Sequence, residues 1–150
     1  MTGVIVCTMP LQILVPFDNS EPAREALEYA FELFSDAEIT VLTVVDLSDV
    51  HHTPEALGEL FTEEEAEGVR AEVKDQLEAA EEFSEEHGIT IQTATRVGAP
   101  SKVIVEYAQT EDVDHIVMGS HGRSGVTRIL LGSVAEVVVR RSPVPVTVVR

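Results

Sequence analysis

The chain has 150 residues, enough for one domain with a substantial buried core. Its 27 acidic side chains outnumber its 10 lysines and arginines, which gives a net charge of −17. This charge argues against general binding to nucleic acids or anionic membranes, because both carry the same sign. No apolar run approaches the ~20 residues that a membrane span needs.

The beginning of the chain indicates a cytoplasmic protein. Residues 1–8 lack the basic residues and the cleavage pattern of a signal peptide. Cys7 is the single cysteine, so no disulfide forms within the chain, and such usage suits a reducing compartment. We expect residues 1–8 to be an extension, either disordered or paired with a sheet edge, and residues 9–150 to form one domain.

The charge is distributed unevenly along the sequence. Residues 55–86 contain thirteen acidic side chains and only Arg70 and Lys74 to oppose them. Residues 115–150 contain five arginines and one acid, Glu136. An acidic, lysine-poor composition of this kind is typical of proteins from salt-rich cytoplasm, where ions screen the self-repulsion. The alternative is an ordinary acidic protein from a mesophile.

The first half of the chain predicts two strands and two helices. Residues 11–16 form a short apolar strand, and a helix follows with Ser20 as its N-cap and Pro22 in its first turn. Residues 39–45 are rich in β-branched side chains, as in a buried parallel strand. The apolar stripe of the first helix has helical spacing and consists of Ala23, Ala26, Leu27, Ala30, Phe31 and Phe34.

A long loop over residues 46–61 leads to the second helix. Thr62 and Glu65 form a capping box at its start, and Gly88 follows its last turn near residue 87. The side chains expected to be buried share one helical face: Ala66, Val69, Val73, Leu77, Ala80 and Phe83.

The second half of the chain predicts three strands and two helices. Residues 89–96 alternate apolar and polar side chains, which indicates an edge strand. A short helix opens at Pro100 or Ser101 and runs to residue 108. A buried strand over residues 115–118, a helix over 132–141 and a strand over 144–149 complete the chain. Pro143 and Pro145 make this last strand an edge strand, because proline donates no ladder hydrogen bond.

This alternation predicts an α/β fold with an open, parallel, five-stranded sheet and helices on both faces. Edge positions for the third and fifth strands fit the strand order 3-2-1-4-5. The topological switch point then lies between strands 1 and 4, where ligands of such sheets bind beyond the carboxyl ends of the strands. Residues 16–20 and the segment after strand 4 would meet there.

Residues 118–133, MGSHGRSGVTRILLGS, carry glycines at a spacing that suits phosphate binding. Two residues separate Gly119 from Gly122, and nine more precede Gly132 and Ser133. Glycines allow close backbone approach and let several N–H groups point into one concavity. Gly132 and Ser133 also stand at the start of the predicted last helix, a natural anion site. The pattern therefore predicts a ligand that carries phosphate.

The G-x2-G-x9-G-S pattern, the opening run LQILVPFDNSEPAREAL, the GAPSKVIVEYA segment and the run LLGSVAEVVVRRSPVPVTVV occur here in the order typical of the universal stress protein family. The chain resembles that family from about Met9 to its last residue. The resemblance implies an adenine nucleotide alpha hydrolase-like fold with strand order 3-2-1-4-5. It also implies binding of ATP or another adenine nucleotide, with or without Mg²⁺, and a stress-response regulator acting as a homodimer.

The phosphate side of the predicted site lies in the glycine segment. Its members are expected to contact phosphates through backbone N–H groups or polar side chains: Gly119, His121, Gly122, Arg123, Gly132, Ser133 and Val134. Arg128 is a further candidate for contact with anionic oxygens. The alternative explanation of the glycines is tight packing in a connecting loop.

The nucleoside side of the site is expected at the ends of strands 1, 2 and 4. Asp18 is expected to accept hydrogen bonds from the ribose hydroxyls, and its alternative role is an Asx turn that organises the first helix. The remaining members would shape the adenosine pocket: Pro16, Phe17, Ser20, Val44, Val45 and Met118. Val44 and Val45 are equally well explained as core residues.

Two further classes of function remain open from the sequence. The first is a slow ATPase or another nucleotide-dependent enzyme on the same fold. Phosphoryl transfer needs a carboxylate for the metal and a base for the attacking water, yet residues 118–134 contain no acid. The second is a protein-binding stress module with a vestigial pocket. No P-loop, dinucleotide-binding fingerprint or nucleophile elbow is present, and the histidines and acids of residues 46–52 lack convincing metal-ligand spacing.

The last strand predicts a homodimer. Its valines leave an apolar edge and unpaired ladder groups exposed in a monomer: Val144, Val146, Val148 and Val149. Pairing this strand between two subunits about a two-fold axis would cover both.

Overall fold

A computed structural model describes residues 10–46, 63–121 and 131–150. Strands and helices alternate along these residues. The strands are Gln12–Pro16 (β1), Glu38–Val45 (β2), Ile91–Val97 (β3), His115–Gly119 (β4) and Val146–Val149 (β5). The helices are Glu21–Leu33 (α1), Glu63–Glu86 (α2), Pro100–Thr110 (α3) and Ser133–Arg141 (α4).

The strands form one sheet in the order β3-β2-β1-β4-β5, and every neighbouring pair is parallel. The predicted fold class and strand order are therefore confirmed. Strand β1 lies between β2 and β4, with Val15 paired to Val41 and Leu14 to Ile116. This adjacency of β1 and β4 makes their carboxyl ends the topological switch point.

Each face of the sheet carries its own apolar core. One core joins the sheet to α1 and α2 and contains Val15, Leu27, Phe31, Val41 and Val117 among others. The other joins the sheet to α3 and α4 and contains Leu14, Leu42, Ile104, Ile116 and Val138 among others. Burial on both faces explains why the central strands read as continuous apolar runs. No helix in the described part of the chain is long and apolar enough to cross a membrane.

Two predicted helix ends are confirmed. The Ser20 hydroxyl caps α1 by accepting a hydrogen bond from the Ala23 N–H at 3.3 Å. Gly88 follows α2 with a φ of 69°, a left-handed conformation that favours glycine. The Ile89 N–H then bonds the Ser84 carbonyl at 2.9 Å and closes the helix end. Thr62 of the predicted capping box, residues 47–61 of the loop before it and the predicted extension over residues 1–8 lie outside the described residues.

Helix α2 packs differently from the prediction. Of its predicted apolar face only Ala80 is buried, whereas Val69, Val73 and the other members are half-buried. Gln76 and Ser84, one turn to either side of Ala80, are buried instead. Ala80 belongs to the core beneath α1 and α2, and Ala79 and Phe83 pack against that core. The N-terminal half is not packed against the sheet in the same way, which the spacing of apolar residues alone did not reveal.

A histidine ties the last strand to the rest of the sheet. The His115 Nε2 lies 2.7 Å from the Thr147 hydroxyl of β5, and its ring centroid lies 5.2 Å from that of Phe34. Burial lowers the pKa of His115, because the charged imidazolium loses hydration. The ring is therefore mainly neutral at neutral pH and links β5 to β4.

The acidic face of α2 predicts a protein that salt stabilises. Glu78, Glu82 and Glu86 are exposed and follow one another at four-residue spacing, which places like charges side by side. We expect the melting temperature to rise between low and molar KCl as this repulsion is screened. The measurement is a thermal melt monitored by circular dichroism.

A charge-neutral variant separates this repulsion from general effects of salt on burial. Glu82→Gln combined with Glu86→Gln should raise the melting temperature at low salt and reduce its dependence on KCl. The melting temperatures of wild type and variant could depend equally on KCl, or that of the wild type could stay constant. Either result would show that repulsion on α2 does not cause stabilisation by salt.

Candidate functional site

Three chain segments meet at the switch point. The end of β4 reaches the first turn of α1, since a Cβ placed on Gly119 would lie 2.7 Å from the Cβ of Pro22. The Ser120 carbonyl, directly after β4, accepts a hydrogen bond from the Gly132 N–H at 2.6 Å. The segment after β1, the end of β4 and the start of α4 are therefore joined into one small region at the edge where ligands of such sheets bind.

The segment after β1 is organised by Asp18. Its Oδ1 accepts a hydrogen bond from the Ser20 N–H at 3.0 Å, as in an Asx turn. Asn19 between them has a φ of 60°, and its side-chain oxygen accepts a hydrogen bond from Arg24 Nε at 2.8 Å. The alternative role for Asp18, organising the first helix, is thus present in the structure. Contact with a ribose remains a prediction for Asp18, as ligand contact does for Ser20.

The start of α4 provides donors for an anion. Gly132 is the N-cap, and no side chain caps the helix. The N–H groups of Ser133, Val134 and Ala135 precede the first intrahelical hydrogen bond, which Glu136 donates to the Gly132 carbonyl. Ser133 is exposed. The positive end of the helix dipole adds to the attraction for phosphate.

Close backbone approach explains both glycines of this region that the structure describes. At Gly119 a Cβ would lie 2.8 Å from the backbone carbon and oxygen of Pro22. At Gly132 it would lie 3.0 Å from the Ser120 carbonyl oxygen. The Gly132 N–H also donates to that oxygen, so it is engaged within the protein. The packing explanation therefore applies to both residues, and their contact with phosphate stays a prediction.

His121 offers a polar atom toward this region. Its Nδ1 lies 2.9 Å from the hydroxyl of Ser120, which is itself buried. Its Nε2 is buried and has no hydrogen-bond partner in the part of the chain that the structure describes. A buried ring nitrogen usually finds a partner, so this atom is a candidate contact for a ligand. Gly122, Arg123 and Arg128 lie outside the described residues.

The predicted nucleoside contacts are distributed over both faces of the sheet. Phe17 is buried in the core beneath α1, and Met118 is buried in the core beneath α3 and α4. Val44 packs against this second core, whereas Val45 lines a groove beneath α2. The two valines therefore do not face one pocket together. Val134 is half-buried against the core beneath α3 and α4, and Pro16 is the half-buried last residue of β1.

Two residues near the switch point were given no individual role by the sequence prediction. Asn19 has a left-handed backbone, for which an Asn in a loop between strand and helix is a usable signal. Ser120 connects β4 to β5 and α4, because its N–H donates to the Val149 carbonyl at 2.9 Å and its carbonyl accepts from Gly132. These contacts are tertiary, so nothing local in the sequence indicates them. The described residues contain no cluster of three or more ligating side chains for a metal ion.

Comparison with known proteins gives the family. The model of the universal stress protein family matches residues 9–150. Universal stress protein MJ0531 of Methanocaldococcus jannaschii is 37% identical over 146 residues, which span 93% of this chain and 81% of that protein.

Solved structures agree in fold. Universal stress protein UspA from Lactobacillus plantarum has a TM-score of 0.77 at 28% identity and covers 95% of this chain and 99% of its own. A universal stress protein crystallised in complex with cAMP has a TM-score of 0.67 at 26% identity, covering 95% of this chain and 98% of its own. The chain belongs to the universal stress protein family.

Proposed function

We propose that this protein binds ATP, or another adenine nucleotide, between the ends of β1 and β4 and acts as a dimeric regulator in the cytoplasmic stress response. One observation carries the proposal. The hydrogen bond from Gly132 to Ser120 holds the start of α4 against the end of β4, beside the first turn of α1. The free N–H groups at the start of α4, which suit phosphate, and the turn that Asp18 organises therefore lie in one region. The similar protein in complex with cAMP supports an adenine nucleotide as the ligand.

The proposed role is binding rather than turnover. Efficient phosphoryl transfer requires a metal-holding carboxylate and a base for water next to the phosphates. The glycine segment contains no acid over residues 118–134. Asp18, the acid of the neighbouring turn, already accepts the Ser20 N–H. A Mg²⁺ ion carried by the phosphates is compatible with this role.

The proposed dimer uses the exposed edge of β5. All four residues of this strand are half-buried within one subunit, and Val139 on the adjacent helix α4 is 47% exposed. An apolar edge with unpaired ladder groups is a liability that pairing with a second copy removes. A two-fold axis beside β5 would pair the strand with itself.

Replacing Ser133 with aspartate tests the nucleotide site. Ser133 is exposed at the first position of α4, so a carboxylate can be accommodated there. The positive end of the helix dipole also stabilises this carboxylate. The same charge opposes phosphate, so we expect the Kd for ATP to rise at least about fivefold, given roughly 1–4 kcal/mol for close charges near a surface. Isothermal titration calorimetry measures this Kd, and a thermal melt shows that the fold is retained.

Ser101→Asp is the matched control. It places an acid in the first turn of α3, which follows the edge strand β3 and contains no acid there. This control should bind ATP as tightly as the wild type. Equal affinity of wild type and Ser133→Asp would place the nucleotide elsewhere. Chromatography of the nucleotide released from heat-denatured protein identifies the ligand, and the absence of any adenine nucleotide affinity would contradict the proposal.

A further inference from the structure

A groove lies between residues 69–81 of α2 and the ends of β2 and β3. Its volume is about 530 Å³, within the range of small-molecule sites. The walls are predominantly apolar, formed by Val69, Val73 and Leu77 of the helix and by Val45 and Val97 of the strands. Its position under α2 sets it apart from the start of α4, where the phosphate site is proposed.

The packing of α2 explains why the groove exists. Ala80 and Ser84 are buried near the C-terminal end of the helix, while Val69, Val73 and Leu77 along the groove remain half-buried. On the strand side Val97 is 59% exposed, one of the most exposed large apolar side chains of the described residues. The groove therefore leaves apolar surface accessible that a closely packed helix would cover, and such surface favours an apolar ligand.

The charges along the groove are opposite in sign at its two ends. Helix α2 contains two cationic residues, Arg70 and Lys74, and both line the groove. Glu78 and Glu81 line it further along the helix. Lys74 lies 3.8 Å from Glu78, but both side chains are more than half exposed, so this pair contributes little. In a protein with a net charge of −17, two cations beside an apolar wall form a locally favourable place for one anionic group.

We propose that this groove binds an aliphatic chain that ends in a single carboxylate. The chain would lie against Val73, Leu77 and Val97, and the carboxylate would lie near Arg70 and Lys74. Glu78 and Glu81 would repel the head group from the other end and so fix the direction of the ligand. Arg70 and Lys74 are about one helical turn apart on the same side, close enough to serve one carboxylate together.

Decanoate is the probe for this site. We expect it to bind the full-length protein in calorimetry, with shifts of the methyl resonances of Val45, Val73, Leu77 and Val97 in NMR. Decanol, which has the same chain without the charge, should bind about tenfold more weakly, because it lacks the carboxylate that Arg70 and Lys74 would attract. Decyltrimethylammonium, which carries the opposite charge, should bind more weakly still.

Variants assign the head group and the chain separately. Arg70→Gln combined with Lys74→Gln should weaken decanoate binding about tenfold and leave decanol binding unchanged. Val73→Trp should fill the groove and weaken both ligands. Lys102→Gln is the matched control, because Lys102 pairs with Glu106 at four-residue spacing and 4.0 Å on α3, away from the groove. It should bind decanoate like the wild type.

Four results would overturn the proposal. The first two are equal affinities for decanoate and decanol, and methyl shifts confined to other parts of the protein. The third is an undiminished affinity for decanoate in the Arg70 and Lys74 double variant. The fourth is nuclear Overhauser contacts that place residues 47–62 in the groove. Thermal melts of each variant show that a loss of binding does not reflect unfolding.

Discussion

Replacing Gly119 with alanine is expected to destabilise the protein by about 1–3 kcal/mol, the cost of an overpacked core position. The added methyl would lie 2.7 Å from the Pro22 Cβ and 2.8 Å from the Pro22 backbone, so the first turn of α1 or the end of β4 must move. Backbone does not yield as a flexible side chain does. For a chain of this length, each kcal/mol lowers the melting temperature by roughly 2–4 °C.

Gly68→Ala is the matched control for this substitution. Gly68 lies within α2, and a Cβ there would meet nothing within 4 Å. The same chemical change should therefore stabilise the protein by about 0.5–1 kcal/mol, since glycine is unfavourable in a helix. Chemical denaturation of both variants gives the two free energies. Similar effects of both substitutions would show that the contact between Gly119 and Pro22 is not restrictive.

The contact between Gly119 and Pro22 also bears on the proposed nucleotide site. Displacing α1 from β4 would shift the turn that Asp18 organises relative to the start of α4. We therefore expect Gly119→Ala to weaken ATP binding even where most of the protein remains folded. Calorimetry at a temperature well below the melting transition separates this effect from the loss of stability.

Aspartate at Val146 and Val148 together is expected to convert the proposed dimer into a monomer. Both side chains lie on β5, and both pack at the margin of the core beneath α3 and α4. Pairing β5 with its copy would bury the new carboxylates, at a cost of several kcal/mol for each unpaired charge. Pro143 and Pro145 limit the number of ladder bonds, so side-chain packing should supply most of the interface. Light scattering at micromolar protein concentration in molar KCl measures whether the protein is a dimer or a monomer.

Two further variants keep this test decisive. Val139→Asp changes an exposed residue of α4, so it should weaken the dimer with little effect on the fold of one subunit. Val97→Asp places the same charge on the opposite edge of the sheet, on the 59% exposed side chain of β3, and should leave the dimer intact. A wild type that already runs as a monomer in high salt would refute the proposed interface.

Local patterns determined most of the fold. The β-branched run over residues 39–45 and the helical stripe that begins at Ala23 each specify one element, because burial acts on neighbours at fixed spacing. Prolines and the polar alternation of residues 89–96 indicated which strands lie at the edges. The order β3-β2-β1-β4-β5 followed from these constraints together with the family resemblance, and the structure has it. The sequence also located the switch point and the family.

Tertiary contacts decided what the spacing of residues left open. The pattern marked Val69 and Val73 as buried, yet both are half-buried beside a groove, and the buried residues of α2 are Gln76, Ala80 and Ser84.

The glycine spacing predicted phosphate contacts, which stay a prediction. The structure adds a packing role that the spacing did not give, with Gly119 against Pro22 and the Gly132 N–H on the Ser120 carbonyl. A periodic pattern reports which side of an element is apolar. It does not report how closely two elements approach, because that distance depends on side chains far apart in the sequence.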